Sequence, residues 1–311
     1  MADNKRSNPR RDERARHAAR HIADVENRLA SEVAASVAGL RAYDSTPSVA
    51  PAVDAGAPRA PRVPSVAVVD EDSVTAVLSR GRGLASACDL AVLDFASFTS
   101  VGGGYDRGAW AQEEALCAES TLYNALATQK AWYAENRRRN INCELYRNRA
   151  LVVPRVRFDR QKYHSYADVI VAAAPNARRA REEYRVSDEA LLCAMRSRIR
   201  MVLAIADDLG HPKLVLGAFG CGVFGWDASQ VAEMFREELA AGGHVAREVV
   251  FAVPRGRFDE NLERFEHAFA KFPEANADAY VTRAERQAAA ASAAAADEDD
   301  EEGEDDWRKY L

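Results

Sequence analysis

Hydrophobic residues follow two different rhythms along this chain. Near the N-terminus they recur at steps of three and four, which predicts an amphipathic helix with the apolar stripe Ile22, Val25, Leu29, Val33, Val37 and Leu40. Further along, short apolar runs predict strands at residues 66–69, 90–95, 168–174, 213–218 and 248–253, with two short extended segments flanking Pro154. Helical spacing predicts helices at about 72–79 and 108–127, from Ser187 to about Ile205, after Asp227, and around 262–269.

Strands that alternate with helices predict an α/β protein. We expect a three-layer α/β/α sandwich with a mixed central sheet and an N-terminal helical extension, with ligand sites at the carboxyl ends of the strands. Composition indicates three segments: a basic helix with a proline-rich linker over 1–65, a folded domain over 66–275, and an alanine-rich, then acidic tail over 282–311. The tail could begin as a helix and is otherwise expected to be disordered.

Composition narrows the function classes. With 311 residues, 48% of them hydrophobic, the chain can bury one substantial core. Its net charge of −6 comes partly from the acidic tail, so nucleic-acid binding is not expected of the folded part. The five cysteines show no CxxC spacing, which favours reduced thiols and argues against a metal site. No signal segment or membrane-length apolar run is recognisable, so a soluble cytoplasmic protein is expected.

The stretch from Leu90 to Tyr123 carries the candidate chemistry. A predicted strand leads into three consecutive glycines at 102–104, and the sequence Gln-Glu-Glu follows at 112–114 after a spacer of seven residues. Glycines without a Cβ let backbone amides approach a phosphate, and two carboxylates could place an acid beside a phosphate-bearing sugar. Taken singly, the glycines also suit a flexible surface loop, and the glutamates a solvated helix start.

Other glycine-rich and proline-containing motifs follow later strands. Residues 220–225 read GCGVFG and precede a predicted helix capped by Asp227, so this loop is a second candidate phosphate site. Residues 174–176 read APN after a central strand. Phe224 could pack under its own loop as a core residue or lie beside a ligand.

The triple glycine, the spacer of seven and the Gln-Glu-Glu together resemble the signature of microbial-type poly(ADP-ribose) glycohydrolases, which are built on a macrodomain. With the basic N-terminal helix and the two later motifs, the resemblance covers about residues 10–272. It implies a macrodomain-like catalytic domain with Glu114 as the catalytic acid and Glu113 as a ribose contact, without cofactor or metal. The ligand-binding residues that it implies are Gly102, Gly103, Gly104, Gln112, Gly220, Cys221, Gly222, Val223, Phe224, Gly225, Asp94 and Asn176.

The resemblance implies hydrolysis of the ribose–ribose O-glycosidic bonds of poly(ADP-ribose) on modified proteins, with ADP-ribose as product. A reader that binds ADP-ribose with little or no hydrolysis, and a hydrolase that removes mono-ADP-ribose, are the alternatives. The arginines at 10, 11, 14, 16 and 20 would then form a solvated helix face or meet the anionic polymer.

The sequence departs from the family pattern at Asp94, where relatives usually carry Asn, and at Ser100 and Val101, where they carry Asn-Pro. A carboxylate cannot donate the hydrogen bonds of an amide. If Asp94 faces the ligand, affinity or substrate choice changes; if it packs elsewhere or is protonated, nothing need change.

Overall fold

The computed structural model describes residues 8–48, 62–139, 145 and 148–292. Its helices are α1 (Pro9–Arg28), α2 (Ala30–Ala38), α3 (Ser73–Arg80), α4 (Gln112–Ala118), α5 (Leu122–Leu126), α6 (Lys130–Arg139), α7 (Ala177–Tyr184), α8 (Asp188–Leu209), α9 (Ala228–Ala240) and α10 (Asn261–Phe269). Its strands are β1 (Arg41–Tyr43), β2 (Ser65–Val69), β3 (Leu90–Phe95), β4 (Ala150–Arg160), β5 (Tyr163–Ala172), β6 (Lys213–Leu216) and β7 (Glu248–Ala252).

The strands form one mixed sheet in the order β1-β4-β5-β3-β6-β7-β2. All neighbours from β5 to β2 are parallel, whereas β4 pairs antiparallel with both β1 and β5. The central strand β3 pairs with β5 as far as Phe95, but with β6 only from Leu90 to Val92. The carboxyl end of β3 therefore has backbone groups that β6 does not pair.

A hydrophobic core lies on each face of the sheet, because successive side chains of a strand point to opposite faces. One core packs α8, α9 and α10 against the face that contains Leu93, and the other packs α3, α4 and α5 against the face that contains Val92. The three-layer α/β/α fold with a mixed sheet is thereby confirmed.

The predicted helix over 108–127 is wrong in its length, since two shorter helices, α4 and α5, take its place. Between them, Thr121 N donates to Arg157 O at 3.0 Å, and Glu119 O accepts from Asp159 N at 2.8 Å. Ser120 also forms a bridge with Phe158. These bonds to β4 use backbone groups that a continuous helix would need, so the helix ends before them.

The region around Pro154 also differs from the prediction. A single strand, β4, runs through this proline instead of two short segments. The register against β5 shifts between Val153 and Val156, where Arg155 adopts a φ of 51°. A bulge of this kind lets a strand carry a residue that has no N–H to donate.

Both terminal segments are more closely joined to the fold than composition indicates. The N-terminal segment supplies the unpredicted edge strand β1. Residues 283–292 at the start of the tail are helical, and Arg283 N donates to Glu260 Oε1 at 2.7 Å. Most of the proline-rich linker and the acidic end of the tail lie outside the described residues. Among the helices that the structure describes, none has the length and apolar character to cross a membrane.

Candidate active site

Gln112 joins α4 to the unpaired end of β3. Its Oε1 accepts from Phe95 N at 2.9 Å, and its Nε2 donates to Leu93 O at 3.0 Å and to Ser73 Oγ at 3.1 Å. A carboxamide offers both an acceptor and donors, so it can satisfy both backbone groups. The side chain thereby substitutes for the pairing that β6 does not supply, and it fixes the start of α4 at the carboxyl end of the central strand.

The two glutamates that follow are buried, and each accepts a hydrogen bond from a loop amide. Glu113 is 3% exposed and Glu114 is 6% exposed. Ser97 N donates to Glu113 Oε2 at 2.7 Å, and Gly104 N donates to Glu114 Oε1 at 2.9 Å. Their second oxygens differ: Glu113 Oε1 is buried without a partner among the described residues, whereas Glu114 Oε2 is neither hydrogen-bonded there nor sealed from solvent. Of the two, Glu114 keeps an oxygen available.

The electrostatic surroundings of Glu113 favour its protonated form. Burial is the main reason that the pKa of Glu113 lies well above its ordinary value, and the charges of Asp94 and Glu114 raise it further. Hydrogen bonds from Ser97 and Gly103 act in the opposite direction. No Lys, Arg or His in the described ranges pairs with either glutamate. Burial without a positively charged partner therefore favours the neutral form of Glu113.

The first glycine loop is shaped by these glutamates. Gly103 has a φ of +65°, and a Cβ at this position would lie 2.4 Å from Glu114 Oε1 and 2.9 Å from Glu113 Oε2. The Gly104 amide, which the sequence assigns to a phosphate, donates to Glu114 in this structure. Glycine is therefore required at 103 by the close approach of the protein's own carboxylates.

The N-terminal helix holds the far side of this loop. Arg11 Nε donates to Arg107 O at 2.9 Å, and Arg14 Nε donates to Gly108 O at 2.8 Å. His21 Nδ1 lies 2.9 Å from the hydroxyl of Tyr105, which follows the triple glycine. Part of the arginine face of α1 is thus committed to the loop rather than to solvent or polymer.

The second glycine loop, between β6 and α9, leaves its inner side open. A Cβ added at Gly222 would meet no atom within 4 Å. The loop is anchored at its ends, where Trp226 Nε1 donates to Pro175 O at 2.7 Å and Phe224 O accepts from Arg178 N at 2.9 Å. Asp227 caps α9, as predicted, by accepting from Gln230 N at 3.0 Å. The middle of this loop can therefore receive a ligand without rearrangement of its ends.

A cavity of about 550 Å³ opens between the second loop and the start of α4. Its walls are mainly apolar, with charged side chains from Asp72, Arg160, Arg255 and Asp259 among them. Five of the predicted ligand-binding residues line it: Gln112, Gly220, Gly222, Val223 and Phe224. A volume of this order is typical of small-molecule sites.

The other predicted site residues do not line the cavity. Glu113 and Glu114 directly follow the lining residue Gln112, but their carboxyl groups lie against the first glycine loop instead. The residues that do not line the cavity are Gly102, Gly103, Gly104, Cys221, Gly225, Asp94 and Asn176. Asn176 caps α7 by accepting from Arg179 N at 3.0 Å, so its side chain already has a structural partner.

Asp94 does not reach the cavity. It is fully buried, and neither of its oxygens has a hydrogen-bond partner among the described residues. The neighbouring Phe95 lies on the cavity wall, on the other face of β3. Asp94 therefore belongs to the core on the face of β3 that does not line the cavity.

Two cavity features were missed from the sequence. Trp110 lines the cavity and is 61% exposed, although no apolar pattern surrounds it. Arg160 also lines the cavity and pairs with both Asp72, at 3.1 Å, and Glu119. The position of Trp110, two residues before the Gln-Glu-Glu, was a usable signal. The ion pairs of Arg160 had no such signal, because they join residues that are distant in sequence.

A second cluster lies at the opposite end of the sheet. Cys88, Asp168 and His211 bring their ligand-type atoms within 4.8 Å of one another, which sequence spacing did not predict. Asp168 Oδ1 accepts from Arg155 N at 2.7 Å, and Oδ2 lies 3.0 Å from His211 Nε2. Burial and the Asp168 charge raise the pKa of Cys88 to about 12. The carboxylate is thus already satisfied by hydrogen bonds, and the thiol stays protonated.

Comparison with known proteins gives one consistent match. The family described as microbial-type PARG, catalytic domain, matches residues 15–161. A search of curated protein sequences gives no match.

Several solved structures resemble most of the chain. The poly(ADP-ribose) glycohydrolase of Thermomonospora curvata is 31% identical, with 82% of this chain and 98% of that chain covered and a TM-score of 0.69. A structure of it bound to the inhibitor ADP-HPD is 29% identical, covers 83% of this chain and 100% of that chain, and has a TM-score of 0.68. The enzyme of Deinococcus radiodurans in complex with ADP-ribose is 28% identical, covering 78% and 98%, with a TM-score of 0.64.

Proposed function

The chain belongs to the family of microbial-type poly(ADP-ribose) glycohydrolases, and from this premise we propose that it hydrolyses the ribose–ribose O-glycosidic bonds of poly(ADP-ribose) and releases ADP-ribose. The observation that carries the proposal is the pair of buried glutamates beside a cavity with an open glycine loop. Protein-bound poly(ADP-ribose) is then the substrate partner.

Glu114 is the catalytic acid of this proposal. Cleavage of a glycosidic bond needs an acid that protonates the departing oxygen, an oxocarbenium-like transition state and a base that activates water. Glu114 has a tethered oxygen, held by Gly104 N, and an available oxygen, so it can transfer a proton without losing its position. One glutamate can serve as acid and then as base. Glu113 Oε2 already accepts from Ser97 N, and a carboxylate oxygen has a second lone pair, so Glu113 is assigned to holding a ribose hydroxyl.

The cavity is assigned to the ADP-ribose unit. Its apolar walls, which include Phe95, Phe219 and Phe224, suit the flat faces of adenine and the sugars. The open inner side of the second loop at Gly222 suits the close approach of a diphosphate to backbone amides. The complexes of the relatives with ADP-ribose and with ADP-HPD support this assignment.

A cytoplasmic location belongs to the proposal as well. The four cysteines within the described residues, Cys88, Cys117, Cys193 and Cys221, are free. Thiols in this state are usual in a reducing compartment. Fractionation of the native cells with detection of the protein would test the location.

Incubation with a polymer-modified acceptor protein, followed by chromatography of the released nucleotides, tests the activity. Free ADP-ribose is expected from the parent protein, and very little from Glu114→Gln. Retention of polymer without release would favour a reader. Removal of the last, protein-linked ADP-ribose would favour a mono-ADP-ribosyl hydrolase.

A further inference from the structure

Asp94 is a carboxyl group inside a hydrophobic core. Alternation along β3 places it on the same face as Leu90, Val92 and Ala96, which belong to the core beneath α4. It is 0% exposed, and both oxygens are sealed from solvent without a partner among the described residues. An ionised carboxylate in such a place would carry the full cost of desolvation.

Two carboxyl groups, a neutral thiol and a neutral phenol lie around Asp94, and none of them supplies positive charge. Helix α4 contributes Glu113, Glu114 and the thiol of Cys117, and α6 contributes the phenol of Tyr133. Within the described parts of the chain, no Lys, Arg or His forms a hydrogen bond or ion pair with any of the three carboxyl groups. Three carboxylates cannot all be ionised there, so at least one proton must be held.

Glu113 supplies the matching acceptor. Its Oε1 is also buried without a partner, while its Oε2 is occupied by Ser97 N. Asp94 lies near enough for its charge to raise the pKa of Glu113, and burial followed by the charge of Glu114 raises the pKa of Asp94. A neutral carboxylic acid has one O–H donor, which a carboxylate lacks.

We propose that Asp94 is held as the neutral acid and donates its O–H group to Glu113 Oε1, so that it acts as a positioning residue for Glu113. The bond would satisfy two of the three unpartnered oxygens of Asp94 and Glu113 at once. It would also fix the rotamer of Glu113 while Glu114 keeps its available oxygen. The consequence for catalysis rests on the proposed function, whereas the protonation state does not.

The dependence of stability on pH tests the proton directly. A raised pKa stabilises the folded state below the unfolded pKa of Asp, and this contribution is lost as pH rises toward the folded pKa. Asp94→Asn removes the titration, so the folding equilibrium of the parent should fall relative to that of the variant by up to about tenfold per pH unit above about pH 4. A stability gap that is constant with pH would overturn the proposal.

Asp168→Asn is the matched control, because Asp168 is also a buried aspartate on the sheet. Hydrogen bonding to His211 and Arg155 holds the pKa of Asp168 below its usual value, against the effect of burial. Its stabilisation is therefore present above the unfolded pKa and is lost as pH falls. The two variants should differ from the parent with opposite dependence on pH.

Infrared difference spectra give a second measurement that a purely structural role would not produce. At neutral pH the parent should show the C=O band of a buried protonated carboxylic acid. The band should be lost in Asp94→Asn and kept in Asp168→Asn. A parent spectrum without the Asp94 band would overturn the proposal even if the variants are destabilised.

The rate of polymer turnover tests whether Asp94 positions Glu113 through a hydrogen bond or only fills space in the core. The amide of Asp94→Asn can still donate to Glu113, whereas Asp94→Leu cannot, so kcat of the leucine variant should be about tenfold lower than kcat of the asparagine variant. Equal kcat values in two folded variants would overturn the positioning role. Failure of the parent to cleave polymer would count against the proposed function alone, because the infrared band and the pH-dependent stability would persist.

Discussion

The two glycine loops look alike in sequence but differ in what surrounds Gly103 in the first loop and Gly222 in the second. In the first loop, a Cβ at Gly103 would meet the carboxyl groups of Glu114 and Glu113. In the second loop, a Cβ at Gly222 would meet nothing within 4 Å. The first loop therefore arranges the acid pair, whereas the second leaves room for a ligand. Glycine content alone does not distinguish a catalytic scaffold from a binding surface.

The largest loss of activity is expected from substitution of Glu114, the proposed catalytic acid beside the first loop. Glu114→Gln keeps an acceptor for Gly104 N but cannot transfer a proton, so kcat should fall about a hundredfold or more. Calorimetry should show that ADP-ribose still binds. Glu113→Gln should leave more residual activity than Glu114→Gln, because it acts through positioning. Degradation of polymer by Glu114→Gln at close to the parent rate would contradict the assignment.

Substitution of one glycine in each loop tests the comparison itself. Gly103→Val should destabilise the fold by about 2–4 kcal/mol and reduce kcat, because it displaces the glutamates and strains a positive φ. Gly222→Val should change stability by no more than about 0.5 kcal/mol. Its dissociation constant for ADP-ribose should rise about tenfold, a cost of about 1.4 kcal/mol. Thermal melts with calorimetry would measure both, and equal melting temperatures for the two variants would refute the distinction.

Loss of the Gln112 hydrogen bonds between α4 and β3 should reduce the stability of the fold by less than Gly103→Val does. Gln112→Leu leaves Phe95 N and Leu93 O without a partner on the β6 side, so it should destabilise the protein by about 2–3 kcal/mol in urea unfolding. Gln129→Leu is the control, because the Gln129 side chain makes an exposed bond to Thr128 and bonds to no other described residue. If Gln112→Leu destabilises the protein no more than the control does, water must replace the hydrogen bonds of Gln112.

A smaller effect is expected from the helix behind the first loop. Arg14→Ala removes the bond to Gly108 O and should cost about 1 kcal/mol, with a few-fold loss in kcat and little change in ADP-ribose affinity. Arg16→Ala, on the exposed side of α1, should be close to the parent in both. If Arg16→Ala reduced polymer turnover instead, the exposed arginines would bind polymer.

The smallest effect is expected from the tail. Removal of the residues after 292 should leave turnover and stability unchanged. Removal after 282 also deletes Arg283, which donates to Glu263 Oε1 at 2.6 Å, and should cost about 0.5–1 kcal/mol of stability without loss of turnover. A large loss of turnover in the protein truncated after residue 292 would show that the acidic end contributes to the site.

The elements that sequence predicts well are those fixed by local patterns. The run Leu90 to Phe95 coincides with β3, and the caps Ser187 and Asp227 mark the starts of α8 and α9. The break between α4 and α5 was missed because it depends on bonds from Thr121 and Glu119 to β4, some 36 to 40 positions away. Local spacing carries no information on such contacts.

The site shows the same limit. The Gln-Glu-Glu and both glycine loops could be located from sequence, but the partner of each amide could not. Gly104 N donates to Glu114, and the Gln112 side chain bonds to the backbone of β3. Buried polar groups of a protein need hydrogen-bond partners within the structure, and these groups are used for that purpose. The orientation of Asp94 could have been read from its alternation with Val92 and Ala96 along β3, which places it in the core.

The bonds from α1 to the first loop have a consequence for the order of folding. They join residues that lie 96 and 94 positions apart in the chain. Closing a loop of that length costs about 4 kcal/mol of chain entropy, whereas α1 can form from neighbouring residues alone. We therefore expect the helix to form early and the catalytic loop to become ordered late, after the central strands have brought its two ends within reach of α1.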